Sequence, residues 1–201
     1  MDDINGNSKA DNILVERVLS GDTKAFSIII SITERLVTQI VFKMISNNED
    51  KKDIAQDIYL KIFHKLETFE FHSKLSTWIG KIAYNTCLNY LEKKKLILLS
   101  NINSDNETDD ELLDKLKSEK EYYDSERIFY KKELAQILKI EIDKLPPLFK
   151  TLIALYHNEG LSYAEIVQIT ELPEGTIKSY LFRARKTLND NLLKKYKKEE
   201  L

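Results

Sequence analysis

The sequence predicts an all-α fold made of two small helical domains joined by a flexible acidic linker. Apolar residues recur at helical spacing along most of the chain, and a polar, acidic stretch divides it near the middle. Only 5 glycines and 3 prolines interrupt the 201 residues, which argues against a β-sandwich, a barrel or a glycine-looped α/β fold. Hydrophobic residues make up 42% of the chain, enough to build folded cores.

Four helices are predicted in the first domain, residues 10–95. A short amphipathic helix over 12–20 ends at Gly21, and Asp22 is placed to cap a long apolar helix that runs from Thr23 to about residue 46. Asparagines interrupt the pattern before a third helix. A short aromatic segment separates the third helix from the fourth, and the predicted ranges of these three elements are 50–66, 68–73 and 74–95.

The acidic linker is predicted over residues 96–130, where ten acidic residues outnumber four basic ones. Such a stretch buries too little apolar surface to fold alone, although 112–120 has some helical character. The second domain, 131–198, is predicted to begin with a helix over 131–143.

The rest of the second domain carries clear helix boundaries. Leu145-Pro146-Pro147 starts a helix that ends at Gly160. Ser162 and Glu165 form a capping-box pattern for a short helix that reaches about residue 170. After a turn at 171–173, the last helix is predicted over 174–195.

The segment 160–188 has the pattern of a helix-turn-helix, and its last helix has one apolar stripe. The stripe consists of Ile177, Leu181, Ala184 and Leu188. The opposite side is polar and basic, with eight basic and two acidic residues between Pro173 and Lys198. A cationic helix face of this kind suits the major groove of DNA. We favour this hypothesis over a solvated charged face on an ordinary helical bundle.

Two other groups of residues stand out in the first domain. Leu60 lies in the middle of the polar side of its helix, where it is either an ordinary exposed leucine or an anchor for a partner protein. The pattern leaves both interpretations open. Trp78, Lys81 and Asn85 form a row beside an aromatic loop, an arrangement that can hold unstacked bases of single-stranded DNA. Taken alone, core packing of the aromatic rings is the favoured interpretation.

Two stretches of the chain resemble region 2 and region 4 of bacterial sigma factors, in the compact extracytoplasmic-function (ECF) group of the sigma-70 family. The first comprises DIAQDIYLKIF at 53–63, Phe69, and LSTWIGKIAYN at 75–85. The second comprises LPP at 145–147, GLSYAEI at 160–166, PEGTIKS at 173–179 and RARKTL at 183–188. Helix-turn-helix patterns are widespread among bacterial regulators, whereas region 2 followed by region 4 is specific to sigma factors.

The resemblance implies a role for each group. The β′ clamp helices of core RNA polymerase would be bound by Asp53, Gln56, Asp57 and Leu60. The promoter −10 element would be recognised and opened at Phe69, Phe71, His72, Ser73, Lys74, Trp78, Lys81 and Asn85. The −35 element would be contacted by Thr176, Lys178, Ser179, Tyr180, Arg183 and Lys186, and region 4 would also touch the β flap.

The sequence departs from the family pattern at two of these positions. Asp57 stands where the family often has a glutamate, and Tyr180 stands where an arginine is common. The family also implies an anti-sigma partner, and a linker that passes near the polymerase active centre. The chain itself is expected to be cytoplasmic, without a cofactor and without membrane insertion, since its polar N-terminus is neither a signal peptide nor a membrane span.

Three rival hypotheses remain. A helix-turn-helix repressor or activator with a helical sensor domain would bind promoters without polymerase. An enzyme or metalloprotein is disfavoured because the three histidines lack ligand spacing and no catalytic motif occurs, while one cysteine excludes a cysteine-based zinc site. A protein that only sequesters a partner is disfavoured by the basic last helix. With a net charge of −2, the free chain is expected to bind DNA poorly.

Overall fold

A computed structural model describes residues 4–101 and 126–195 of the chain, with side chains over 9–95 and 134–194. These ranges are helical and contain no strand, which confirms the predicted all-α fold. The N-terminal half comprises α1 (Ile4–Leu19), α2 (Thr23–Met44), α3 (Asn48–Lys65), a 3-10 turn (Leu66–Thr68) and α4 (Leu75–Asn101). The C-terminal half comprises α5 (Glu126–Asp143), α6 (Pro147–Ile153), a π-helical turn (Ala154–Asn158), α7 (Tyr163–Thr170) and α8 (Glu174–Lys195).

The helices extend further into the predicted linker than the composition indicated. Helix α4 continues to Asn101 and α5 already begins at Glu126. Helix α1 also starts earlier than predicted, at Ile4. The remainder of the predicted linker, 102–125, including the stretch 112–120, lies outside the described residues.

Side-chain caps begin the helices where the sequence predicts them. The Asp22 carboxylate accepts the backbone N–H groups of Lys24 and Ala25 at 2.9 and 3.2 Å at the start of α2. The backbone N–H of Ser162 donates to the Glu165 carboxylate at 2.8 Å, and the N–H of Glu165 donates to the Ser162 hydroxyl at 3.3 Å. This reciprocal pair is the capping box predicted for α7.

Helix α2 is the central helix of the N-terminal half and packs against α1, α3 and α4. Its length and apolar composition would allow it to cross a membrane. Its buried residues, however, are Ala25, Ile29, Thr33, Leu36, Val37, Ile40, Val41 and Met44. A helix with so many side chains inside a protein core fits the role of a core helix in a folded domain.

The C-terminal half packs α8 against α6, α7 and α5. The four residues of the predicted apolar stripe, Ile177, Leu181, Ala184 and Leu188, are all buried. The stripe therefore faces the core as the helical spacing predicts, and it leaves the opposite side of α8 toward solvent.

The two halves pack directly against each other, through α4 with α7 and α2 with α6. Helix α4 comes close to its neighbours at Gly80, where an added Cβ would lie 2.9 Å from Ile169 Cδ1 and 3.3 Å from Leu36 Cδ2. A hydrogen in place of a side chain at Gly80 thus lets α7 lie close along α4. The sequence had left the relative arrangement of the halves open.

Candidate functional site

The solvent side of α8 is a cationic surface with an exposed aromatic ring. Arg183 and Lys186 are exposed, and the neighbouring Phe182 is 66% exposed. Thr176 and Ser179, nearer the start of the helix, are half-buried. Small polar side chains at the start of a helix can contact base edges in a DNA duplex. Exposed cations further along the same helix can contact phosphates at the same time.

Two cations beside this surface are held by neighbouring side chains. Lys178 Nζ lies 2.5 Å from the Glu174 carboxylate, one turn earlier, and 5.2 Å from the centre of the Tyr163 ring. The hydrogen bond to Glu174 raises the pKa of Lys178 above its ordinary value. The Arg185 guanidinium lies over the Tyr156 ring at 5.6 Å. These contacts orient both cations at the rim of the surface.

Tyr180 is placed differently from the other predicted −35 residues. It is half-buried and packs on the core of the C-terminal half, with its ring 5.4 Å from the ring of Phe149 in α6. An arginine at this position would extend into solvent, whereas the phenol ring fills space between α6 and α8. Tyr180, which the resemblance implies as a −35 contact, therefore also supports the packing of α8.

A cleft of about 340 Å³ opens between α3 and α4. Its wall brings together Trp78, Lys81 and Asn85, the row singled out from the sequence. Lys61 and Lys65 face them from α3, and these two cations were missed. Their separation by one helical turn indicates that the two lysines share a face of α3. Only the packing of α3 on α4, however, places that face opposite Trp78.

The aromatic residues of the adjoining loop form, with Trp78 of α4, a cluster of tilted rings that runs from the core to the surface. Phe69 is only 5% exposed, its ring 4.7 Å from the ring of Phe71 and 5.4 Å from that of Trp78. Phe71 is 41% exposed and has a φ of 58°, in the left-handed region. The ring of Phe69 therefore faces the core, whereas Phe71 is open to solvent. Phe69 supports Phe71 and Trp78 because its own ring is needed in the core.

The polar residues of the loop and of α4 differ in their exposure and in their ion-pair partners. His72 is exposed, with Nδ1 3.2 Å from the Glu70 carboxylate, and Ser73 is half-buried. Lys74 Nζ lies 2.9 Å from Glu165 Oε1, and Lys81 Nζ lies 2.7 Å from Glu171 Oε1. Both carboxylates belong to the C-terminal half, so it supplies the acidic partners of these two lysines.

The polar side of α3 presents a third surface. Leu60 is 53% exposed, as its position among polar residues predicts, and Asp53, Gln56 and Asp57 are exposed around it. The Asp57 carboxylate lies 2.6 Å from Lys61 Nζ, one turn further along the helix. Lys61 also lines the cleft, so this ion pair joins the α3 surface to the cleft.

The described residues contain no cluster of three or more histidine, cysteine, aspartate or glutamate side chains able to hold a metal ion. Cys87 is fully buried in α4. Burial raises the pKa of its thiol to about 12, against the opposing effect of the nearby Lys61 charge. A thiol in this state is a poor nucleophile.

The comparisons with known families match these two halves separately. The family model for sigma-70 region 2 matches residues 29–97, and that for sigma-70 region 4 matches residues 135–188. The ECF RNA polymerase sigma-E factor of Haemophilus influenzae is 33% identical over 192 residues, covering 90% of this chain and 95% of the relative. The chain belongs to the ECF group of the sigma-70 family. The ECF RNA polymerase sigma-E factor of Escherichia coli K12 is 32% identical over 186 residues, covering 90% of this chain and 94% of the relative.

Two solved structures share the fold. CnrH, in complex with the cytosolic domain of CnrY, matches with a TM-score of 0.61 at 19% identity, over 93% of this chain and 99% of CnrH. RpoE of Bartonella quintana, in complex with the anti-sigma factor NepR, matches with a TM-score of 0.64 at 22% identity, over 86% and 99%. At these identities the likeness concerns the fold alone.

Membership of the family establishes what this sigma factor does. It binds core RNA polymerase and directs promoter-specific initiation of transcription, with region 2 at the −10 element and region 4 at the −35 element. Sigma factors are initiation factors rather than enzymes, and polymerisation of RNA is the reaction of the polymerase. The curated relatives are bacterial proteins.

Proposed function

We propose that the cleft between α3 and α4 holds the opened −10 element of the promoter. The observation that carries the proposal is the convergence of Trp78 and Asn85 with three lysines, Lys61, Lys65 and Lys81, around one cleft. An aromatic face beside cations and an amide suits single-stranded DNA, because bases stack on the ring while ammonium groups approach phosphates. Phe71 and Lys74 extend this surface along the loop.

The −35 element is contacted, in the same proposal, by the solvent side of α8. Thr176 and Ser179 lie at the start of the helix, where side chains reach base edges in a helix-turn-helix, and Arg183 and Lys186 contact phosphates further along. The exposure of the two cations and the burial of the opposite stripe support this orientation. Lys178, held by Glu174, reaches the flanking backbone.

The polymerase is contacted by the α3 surface, with Leu60 as the apolar anchor and Asp53, Gln56 and Asp57 as its polar surround. An exposed leucine ringed by polar side chains has the layout of a protein-binding hot spot.

We assign region 2 to residues 10–95, the linker to 96–130 and region 4 to 131–198. The polymerase β flap and an anti-sigma factor are further partners in this proposal, and the chain acts in the cytoplasm without a catalytic step of its own.

Run-off transcription tests this proposal. Core RNA polymerase is supplied with the full chain and a set of genomic promoter fragments, and new start sites are mapped. Single variants Lys81→Gln and Arg183→Ala should lower initiation at these promoters, whereas Lys24→Gln, on exposed α2 surface, should not. Equal initiation by all three variants would contradict the residue assignments. Specific promoter binding by the chain without polymerase would favour the rival hypothesis of an ordinary helix-turn-helix regulator.

A further inference from the structure

Two tyrosines of region 4 stack on each other beside the recognition helix α8. Tyr156 lies in the π-helical turn, and Tyr163 is the first residue of α7. The chain turns between them at Gly160, whose φ of 64° is a conformation that favours glycine. The two rings are nearly parallel, with centroids 5.0 Å apart and planes inclined by 22°, and both are half-buried against the core. Stacking and partial burial together fix this tyrosine pair.

One cation of α8 lies over each ring of the tyrosine pair. Lys178 Nζ lies 5.2 Å from the centre of the Tyr163 ring, and Arg185 Cζ lies 5.6 Å from the centre of the Tyr156 ring. Both cations are exposed. Because they are seven residues apart, they lie on one flank of the helix and about 10 Å apart along its axis. Of the two, only Lys178 is among the residues that the family resemblance implies at the −35 element.

The two flanks of α8 differ in charge. The flank opposite Lys178 and Arg185, by helical spacing, carries three uncharged side chains, Thr176, Tyr180 and Thr187. A recognition helix in the major groove lies between the two DNA strands, so each of its flanks faces the phosphates of a different strand. Cations that are concentrated on one flank therefore contact one strand more than the other.

We propose that the tyrosine pair positions Lys178 and Arg185 to bind phosphates of one strand of the −35 duplex, the strand that passes the α7 side of α8. Tyr156 and Tyr163 are positioning residues, and Arg185 is a further phosphate contact. This inference rests on the proposed role of α8 at the −35 element. The benefit is preorganisation, because a ring beneath each cation restricts a side chain that would otherwise lose its freedom on binding DNA.

A double-mutant cycle tests whether the tyrosines act through the cations. The full chain is assembled with core RNA polymerase, and its affinity for a promoter fragment is measured. Tyr156→Leu should weaken binding about 2- to 5-fold in the unsubstituted chain, and should have almost no further effect in an Arg185→Gln chain. Tyr156→Phe keeps the ring beneath the guanidinium and should bind as the unsubstituted chain does.

The same cycle applies to the second half of the tyrosine pair. Tyr163→Leu should weaken binding in the unsubstituted chain but not in a Lys178→Gln chain, and Tyr163→Phe should restore full affinity. A ring that served only to stabilise the fold would weaken binding equally whether or not the cation is present. Equal effects of the leucine substitution in the two backgrounds of either cycle overturn the proposal.

Neutral phosphates provide the second measurement. Phosphates of the −35 element are replaced by uncharged methylphosphonates in one strand at a time. The double variant Tyr156→Leu/Tyr163→Leu should become less sensitive to replacement in one strand and keep its sensitivity in the other. Phe149→Leu, which removes another half-buried ring of region 4, is the matched control and should respond as the unsubstituted chain does on both strands. A response of the double variant that falls equally on both strands, or on neither, overturns the proposal.

A third comparison separates this inference from the proposed function. Weaker −35 binding by Arg183→Ala/Lys186→Ala, together with unchanged binding by Lys178→Gln/Arg185→Gln, would support α8 as the −35 helix and overturn the positioned phosphate contacts alone. Unchanged binding by both double variants would contradict the proposed function, and the inference would fall with it.

Discussion

The ring of Tyr180 in α8 packs against the ring of Phe149 in α6, with centroids 5.4 Å apart and planes inclined by 39°. This contact joins the proposed recognition helix to the helix before the helix-turn-helix. The tyrosine, which stands where the family commonly has arginine, thus contributes to packing at a position proposed to lie near the DNA. The energetic consequence is testable.

Tyr180→Ala should lower the free energy of unfolding by about 1–3 kcal/mol, because it removes a half-buried ring and its aromatic partner. Tyr180→Phe keeps the ring and should change stability by less than about 0.5 kcal/mol. Phe182→Ala in the same helix removes a ring that is 66% exposed and serves as the control. Urea denaturation followed by circular dichroism measures all three. A stable Tyr180→Ala chain would show that the contact with Phe149 contributes little.

Leu60→Asp should weaken the affinity for core RNA polymerase by about tenfold or more, since it places a charge at the centre of the proposed contact. The fold should stay intact because the side chain is 53% exposed. Ile13→Asp, at a similarly exposed position of α1, is the matched control. Titration of labelled sigma factor with core polymerase gives both affinities. Equal affinities of the two variants would show that Leu60 does not contact the polymerase.

Replacement of Lys61 and Lys65 by glutamine should weaken binding of the polymerase–sigma complex to promoter DNA opened at the −10 element. If each lysine contacts one phosphate, the slope of log affinity against log salt should fall by about 1.4 in magnitude. The double variant Lys24→Gln/Lys139→Gln, with the same change in charge outside the cleft, should leave the slope nearly unchanged. If both double variants lower the slope equally, the effect comes from the change in net charge and not from contacts in the cleft.

Arg183→Ala/Lys186→Ala should lower transcription from promoters that depend on the −35 element and leave those with a strong extended −10 element less affected. If each cation contacts one phosphate of the duplex, the slope of log affinity for the −35 duplex against log salt should fall by about 1.8 in magnitude. Competition assays with duplexes that carry or lack the −35 element measure this. Identical losses on the two duplexes would show that these cations do not face the −35 groove.

Cys87 should be unreactive toward maleimides in the native chain at neutral pH. Its side chain is fully buried, and burial raises the pKa of the thiol to about 12, so almost no thiolate is present. Mass spectrometry should find no adduct on the folded chain and one adduct after denaturation. Rapid labelling of the folded chain would show that α4 opens readily around this residue.

Periodicity and capping patterns in the sequence predict most of the local structure. The buried stripe of α8 and the capping box at Ser162 agree with prediction because both depend on residues within one or two turns of each other. Exposure of Leu60 follows in the same way from the polar residues on its side of α3. The family of the chain is also contained in the sequence, in the order of its two motifs.

Contacts between residues distant in the sequence required the tertiary structure. Burial of Phe69 depends on Trp78 and Phe71, and the approach of Lys61 and Lys65 to the cleft depends on how α3 packs against α4. The pairing of Lys81 with Glu171 joins residues on different halves, whose relative placement no local pattern specifies. The sequence by itself therefore determined the helices, their inward faces and the family. Only the packing of one half on the other decided which described cations of the N-terminal half pair with carboxylates of the C-terminal half, because these ion pairs depend on distance in space and not on separation along the chain.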